Sequence, residues 1–169
     1  MPNWCENKIT IKGSTESLKL VWKEANKERS GLLNALNPMP KELEDTDANL
    51  HTSRSIEQGT LQPIVDGYDN WYSWACDNWG TKWDVKIDGL EFIDNGDGTS
   101  SISGSFESAW SPPLDAYHYF LENTDNCSIQ ASFVEWGMGF KGDYINGKVN
   151  MEEISLEELE ANFYPDEAA

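Results

Sequence analysis

The chain is poor in basic side chains and in histidine. Its 169 residues contain 12 lysines and arginines against 30 aspartates and glutamates, which gives a net charge of −18, and two histidines. Nucleic-acid-binding domains need a basic patch or stripe, so this composition argues against general binding of DNA or RNA. Like-charge repulsion also disfavours anionic membranes, whereas a basic protein surface would attract the chain. The same acidic excess also serves simply to keep a small protein soluble.

Paired cysteines and long apolar runs are missing as well. Cys5, Cys76 and Cys127 are odd in number and form no CxxC pair, which argues against a disulfide framework and a zinc signature. The polar N-terminal stretch MPNWCENKITIKG lacks the apolar region of a secretion signal. No run approaches the roughly 18 apolar residues of a membrane-spanning helix. We therefore expect a reduced protein in the cytoplasm of the host cell.

Catalytic and metal-binding motifs are also absent from the sequence. Neither the nucleophile pattern GxSxG nor the phosphate-binding pattern GxxxxGK[ST] occurs. The stretch DNGDG at 94–98 resembles part of a calcium loop, which needs oxygen ligands at alternate positions. Those positions are Gly96 and Gly98, which have no side-chain oxygen, so we predict a hairpin turn instead. We expect no metal, no cofactor and no catalytic residue that can be assigned from sequence.

A few ionisable side chains keep an enzymatic alternative open. Asp84 follows Trp83 and Glu107 lies near Trp110, so either carboxyl group could be buried with a raised pKa. Nothing in the sequence pairs these acids with a base or a nucleophile. His118 falls on the apolar stripe of a predicted helix, which favours a packed histidine over a catalytic one. An uncharacterised enzyme therefore stays an alternative to a binding protein.

The spacing of apolar residues predicts a mixed α+β domain. Alternation with a period of two indicates a strand, and apolar residues three and four apart indicate a helix. Ser14 and Ser111 are predicted N-caps, and Gly31 and Gly80 are predicted to end helices. Strands are predicted over 7–12, 82–88, 100–110 and 127–136, and helices over 14–30, 66–79 and after 111–113. Apart from an insertion, the order is βαββαβ, which is typical of a ferredoxin-like sandwich.

The insertion follows the first helix. Residues 32–66 include the stretch LNPMP and show no clear hydrophobic period, so we expect irregular chain with short pieces of structure. Together with the next helix this makes an insertion at about 32–80. The predicted domain containing it covers residues 1–150.

The C-terminal segment, residues 151–169, carries seven acids and no base. Ser155 followed three residues later by Glu158 matches the capping-box pattern at the start of a helix. We therefore predict a short acidic helix over 155–163 and a tail after it.

Eight tryptophans are the most informative feature of the composition. Trp22 and Trp71 fall on helical stripes and are most simply core residues. The others of interest lie at or near the ends of predicted elements: Trp4, Trp79, Trp83, Trp110 and Trp136. Element ends gather where loops form binding faces. An alternative is that these rings merely close the ends of a small sheet.

Two lysines lie close to these tryptophans in the sequence. In NWGTKWD, at 78–84, Lys82 stands between two tryptophans, and in EWGMGFKGDY, at 135–144, Lys141 lies among three glycines. An indole stacks on a nucleobase with about 1–3 kcal/mol, and a lysine can meet a phosphate or carboxylate. The second stretch is equally consistent with a bulged strand or a pocket rim. The candidate ligand-binding residues are Trp4, Trp79, Thr81, Lys82, Trp83, Asp84, Trp110, Trp136 and Lys141.

Five segments together resemble a known family. MPNWCENKITIKG, LNPMP, NWGTKWD, AWSPP and EWGMGFKGDY occur in this order between residue 1 and about 144. In combination they resemble the Api-like family of phage- and plasmid-encoded proteins. The resemblance implies a ferredoxin-like domain and a mobile-element source, and it supplies no established reaction. The matching positions are Trp4, Cys5, Asn7, Trp79, Gly80, Thr81, Lys82, Trp83, Asp84, Trp110, Ser111, Pro112, Pro113, Glu135, Gly137, Phe140 and Gly142.

These observations lead to two binding hypotheses. In the first, a tryptophan-rich cleft holds a small nucleotide-like or anionic signal, so that a phage or plasmid protein acts as a sponge against host defence. In the second, the acidic surface and the helix at 155–163 block a basic surface of a host defence protein, as an inhibitor or nucleic-acid mimic. Neither hypothesis requires nucleic acid or a membrane as a partner, and the oligomeric state stays open.

Overall fold

The computed structural model describes residues 1–48 and 63–165. These residues form a mixed α+β structure, which confirms the α+β part of the predicted fold class. The elements, in chain order, are β1 (Trp4–Ser14), α1 (Thr15–Ala25), α2 (Leu32–Leu36), α3 (Lys41–Glu44), α4 (Trp71–Trp79), β2 (Leu90–Asp94), β3 (Thr99–Ala109), α5 (Leu114–Asn123), β4 (Ser128–Glu135), β5 (Phe140–Ile145), β6 (Lys148–Glu153) and α6 (Leu156–Phe163).

The six strands form one antiparallel sheet in the order β2-β3-β1-β4-β5-β6. β1 lies in the interior of the sheet, where Cys5 is opposite Ser108 of β3 on one side and Glu135 of β4 on the other. Ile9 and Ile11 are buried and alternate with more exposed neighbours, as the period of two predicts.

One face of the sheet is covered by helices. From α1, Leu18, Val21 and Ala25 are buried, and from α5, Ala116, Tyr117 and Phe120 are buried, so both helices present one apolar stripe to the sheet. The opposite face is open to solvent. A concave space of about 760 Å³ lies over it, and its lining is mixed, with Glu6, Lys8, Ser105, Ser132 and Lys141 among the polar residues and Val134 among the apolar ones.

The predicted strand over 82–88 is wrong. This segment is a loop, and the strand begins later, at Leu90. Hydrogen bonds hold this loop against the start of α2. The Leu32 N–H donates to the carbonyl of Val85, and the Asp84 carboxylate accepts from backbone N–H groups in the first turn of α2. The predicted DNGDG turn is confirmed between β2 and β3, where Gly96 and Gly98 have φ values of +77° and +88°.

Several helix boundaries differ from the prediction. Ser14 caps α1 as expected by accepting from Ser17 N–H, but α1 ends at Ala25 well before Gly31. Ser111 does not cap α5; its hydroxyl donates to the carbonyl of Gly80, and α5 begins at Leu114. Gly80 ends α4 in the left-handed conformation as predicted, with φ +86°.

The remaining segments agree in part. Short helices occupy the described part of the predicted insertion, whose residues 49–62 lie outside the described ranges. The capping box of Ser155 and Glu158 is confirmed at the start of α6, while residues 166–169 of the predicted tail lie outside the description. β5 and β6 were not predicted as a pair of strands. Among helices of the described ranges, none combines the length and apolar character needed to cross a membrane.

Candidate ligand-binding site

Four of the predicted site residues meet at one end of the sheet. The Lys82 ammonium lies 3.9 Å from the ring centroid of Trp83 and 4.0 Å from that of Trp110. The rings of Trp4 and Trp83 are 6.2 Å apart and inclined at 38°. Trp4, Trp83 and Trp110 are 43%, 42% and 40% exposed. We call Trp4, Lys82, Trp83 and Trp110 the Trp–Lys cluster; it has large apolar surfaces and a cation that solvent can reach.

The ends of β1 and β3 position two of these indoles. Trp4 opens β1 opposite Ala109, the last residue of β3. Trp110 then donates its backbone N–H to the carbonyl of Asn3 and adopts φ +67°, a left-handed conformation that is uncommon for a bulky residue. This turn takes the Trp110 ring out of the strand and over Lys82.

Thr81 fastens the loop that carries Lys82 and Trp83. It is buried, and its hydroxyl donates to the carbonyl of Ala109 over 2.8 Å. A second bond, from the Ser111 hydroxyl to Gly80, ties the same loop to the chain after β3. Thr81 therefore sets the position of the cluster and does not present its side chain to solvent.

Trp79 is a buried core residue that also forms part of the lining of a small cavity beside the cluster. It is 4% exposed, its ring meets that of Trp74 edge-on at 5.5 Å, and its indole N–H donates to the carbonyl of Asn37. Because its indole N–H is hydrogen-bonded, Trp79 can be buried without leaving its own polar atom unpaired.

Asp84 is the N-terminal cap of the short helix α2. Its carboxylate accepts the backbone N–H groups of Leu33, Asn34 and Val85. Desolvation by burial raises the pKa of Asp84, and these backbone N–H groups act in the opposite direction. The bonds of the Asp84 carboxylate to these backbone N–H groups give it a structural role.

Asp84→Ala should lower the free energy of unfolding by about 1–3 kcal/mol, because partly buried N–H groups lose their acceptor. Asp84→Asn retains one acceptor oxygen and should cost less. Urea unfolding followed by circular dichroism measures both values. Equal stability of wild type and Asp84→Ala would contradict the capping role.

Two other acid–base candidates lie at the surface. Glu107 is exposed, so its predicted burial is wrong. His118 is also largely exposed rather than packed; its Nε2 is 3.7 Å from Glu122 and its Nδ1 is 3.4 Å from the Tyr144 hydroxyl. Within residues 1–48 and 63–165, no group of three or more histidine, cysteine or acidic side chains is arranged to hold a metal ion.

Trp136 and Lys141 are placed separately from the cluster residues described above. Trp136 is partly buried and directly follows β4, so it lies at the same end of the sheet as Trp4. Lys141 points to the open face of the sheet, where its ammonium pairs with Glu158 of α6 and lies 3.5 Å from Glu152. Lys141 is thus already neutralised by carboxylates.

A small cavity adjoins the cluster. It has a volume of about 180 Å³ and shares Lys82 and Trp83 with the cluster. The predicted site residues Trp79 and Asp84 also line it. Its further lining consists of residues that sequence reasoning did not select for the site: Arg29, Asn34, Met39, Glu44 and Trp71. These residues come from separate segments, and no spacing signal joins them. Trp71 was assigned to the core from its helical spacing, whereas Trp74 and Trp79 are the buried indoles on that helix.

The Lys82 ammonium has aromatic neighbours. In the ranges that the structure covers, ion pairs join Lys27, Arg29 and Lys141 to carboxylates, and Lys82, like most of the lysines, takes part in none of them. Indole faces, whose quadrupole attracts a cation, flank it instead. Within residues 1–48 and 63–165 Lys82 has no carboxylate partner, so its ammonium remains available to an external anion.

The fold and site define an α+β protein with a six-stranded antiparallel sheet and a surface Trp–Lys cluster. No family model matches the chain, and no curated protein matches it. Its structure is similar to the crystal structure of the protein api92 from Yersinia pseudotuberculosis, with 9% sequence identity and a TM-score of 0.45 over 92% of this chain and 99% of that chain. A similarity of this size is too low to transfer a fold or a function.

Proposed function

We propose that this chain is a non-enzymatic protein that binds a small anionic or nucleotide-like molecule at the Trp–Lys cluster. The observation that carries the proposal is the Lys82 ammonium, which lies about 4 Å from two half-exposed indoles and is outside the ion pairs of the described ranges. The indoles supply stacking surface, and Lys82 supplies the charge for a phosphate or carboxylate.

The size of the neighbouring cavity limits the ligand. Drug-sized ligands occupy pockets of about 300–1,000 Å³, and this cavity holds about 180 Å³. One planar ring against Trp83 with its anionic group at Lys82 is therefore a better fit than an enclosed dinucleotide. Arg29 at the cavity already pairs with Asp45, so Lys82 is the cation on which the proposal depends.

The wider biological role is a proposal of the same kind. We propose a phage or plasmid protein of the Api-like family that sequesters a defence signal in the host cytoplasm, on a ferredoxin-like domain extended by β5 and β6. The order of the sequence motifs supports the family, and the neighbouring strands β2-β3-β1-β4 support the domain type. The acidic tail helix is then an addition to that domain.

Thermal unfolding with and without nucleotides, cyclic nucleotides and NAD-derived compounds tests the binding proposal. A ligand at about 100 times its dissociation constant adds about 2.7 kcal/mol, which raises the midpoint by about 5–10 °C for this length. Trp83→Ala should remove the rise. Val149→Ala, at an exposed apolar position on β6, serves as the control and should retain it. A flat response to every compound would count against the proposal.

A second candidate is an acidic inhibitor that blocks a basic surface of a host defence protein. The observation that favours it is α6, a formed helix with Glu157, Glu158 and Glu160 and no buried residue. Removal of residues 155–169 spares β6 and should abolish salt-sensitive capture of basic host proteins. Capture that persists after the removal would rule out this helix as the blocking surface.

A further inference from the structure

Helix α6 presents an apolar stripe that the rest of the described chain leaves largely open. Leu156, Leu159 and Phe163 are three and four residues apart and so share one face of the helix. Leu156 is 78% exposed and Phe163 is 56% exposed. Only Leu159, which lies beside Gly139, is partly buried. A need for solubility would explain the acidic residues of this helix, but it does not explain the large exposed apolar side chains.

The position of α6 is nevertheless fixed. Ile154 is buried just before the helix, and its N–H donates to the carbonyl of Gly139 over 2.7 Å. Ser155 and Glu158 form the capping box, and Glu158 also binds Lys141 of β5. An isolated helix of eight residues is marginal in water, so these anchors hold it in place. The stripe is therefore displayed in a defined orientation.

Acidic residues surround this stripe. Glu157 and Glu160 lie on the helix, and Glu152 and Glu153 lie on the preceding strand. Lys141 is the basic residue that the structure places here, and it is already paired. A second copy of the chain would bring the same acids and a net charge of −18 against them, so charge complementarity selects a basic partner.

We propose that α6 is a docking helix that inserts Leu156, Leu159 and Phe163 into an apolar groove of a partner protein whose rim is basic. This mode uses anchors at i, i+3 and i+7 of an amphipathic helix. The inference rests on the second candidate function, the acidic inhibitor. It adds that apolar contacts, and not charge alone, hold the partner. Mimicry of nucleic acid by charge would leave the stripe without a role.

The test uses the full chain and a fluorescent amphipathic peptide made of leucine and lysine, with leucines on one helical face. Fluorescence anisotropy should show binding that the double variant Leu156→Ser, Phe163→Ser weakens about ten-fold or more. Glu157→Gln with Glu160→Gln should also weaken it. Leu20→Ser, at an exposed leucine of α1, is the matched control and should bind like wild type. Circular dichroism checks that each variant is folded.

The contrary outcomes separate the two ideas. If a lysine–serine peptide of equal charge binds as tightly, or if the leucine and phenylalanine changes have no effect, the docking stripe is refuted and charge-based inhibition survives. If the glutamate changes and high salt have no effect, the acidic candidate function itself fails. If sedimentation shows a dimer that the double variant dissociates, a second copy covers the stripe and the proposal is overturned.

Discussion

Trp79→Ala should lower the free energy of unfolding by about 3–5 kcal/mol, the cost typical of removing a large aromatic side chain from a core. Trp79 is 4% exposed, packs edge-on against Trp74 and donates its indole N–H to Asn37. The substitution leaves a cavity between α4 and its neighbours and an unpaired carbonyl at Asn37. Among the predicted site residues, we expect no larger effect on stability.

Urea unfolding of matched variants measures this cost. Trp83→Ala is the control within the same short segment, because Trp83 is 42% exposed and its loss should cost much less than that of Trp79. Trp79→Phe keeps most of the packing and removes the hydrogen bond, so it should cost an intermediate amount. If Trp83→Ala lowered the free energy of unfolding as much as Trp79→Ala, the Trp–Lys cluster would be a structural part of the core and not an accessible binding surface.

Lys82→Met should remove the ligand-induced rise in the unfolding midpoint while the protein stays folded. Methionine retains an unbranched side chain between the indoles of Trp83 and Trp110, but it carries no charge. Loss of a charge-assisted contact should weaken binding of a phosphate-bearing ligand about 10- to 100-fold, since such hydrogen bonds contribute roughly 1.5–3 kcal/mol. Titration calorimetry with the compound that gives the thermal shift measures the change.

Two further lysine variants sharpen that experiment. Lys86→Met removes an exposed lysine from the same loop and should leave the affinity unchanged. Lys82→Arg retains both the charge and the contact with the rings, so most of the binding should remain. Wild-type affinity in Lys82→Met would show that the ammonium only packs between the indoles.

The periodic parts of the sequence predicted the centre of the fold. β1, β3, β4, α1 and α5 follow their apolar patterns because each buries one face. The segment 82–88 also alternates, but Asp84 caps α2 and Val85 accepts from Leu32, and these long-range bonds keep it a loop. The sequence of β6 predicted no strand, because all of its residues are exposed at the edge of the sheet and none marks a buried face.

The candidate site was predictable to a similar extent. Positions at element ends selected Trp4, Trp83 and Trp110, and the structure places these three side chains together around Lys82. The same criterion also selected Trp79, whose ring is buried and lines the small cavity beside the cluster. The sequence did not predict Arg29 as a site residue. Its place beside the cavity depends on how the chain between α1 and α2 packs against the loop that carries Lys82 and Trp83.

The interior position of β1 has a consequence for how the protein is made. Ser14 pairs with Thr99, and Cys5 pairs with Glu135, so β1 obtains both of its neighbours from strands that are synthesised much later. A nascent chain that stops after β3 still has one open edge on β1, with Ile9 and Ile11 unsupported on that side. Such distant pairing slows folding toward milliseconds to seconds. During synthesis, β1 therefore gains its second neighbouring strand only after β4 has left the ribosome.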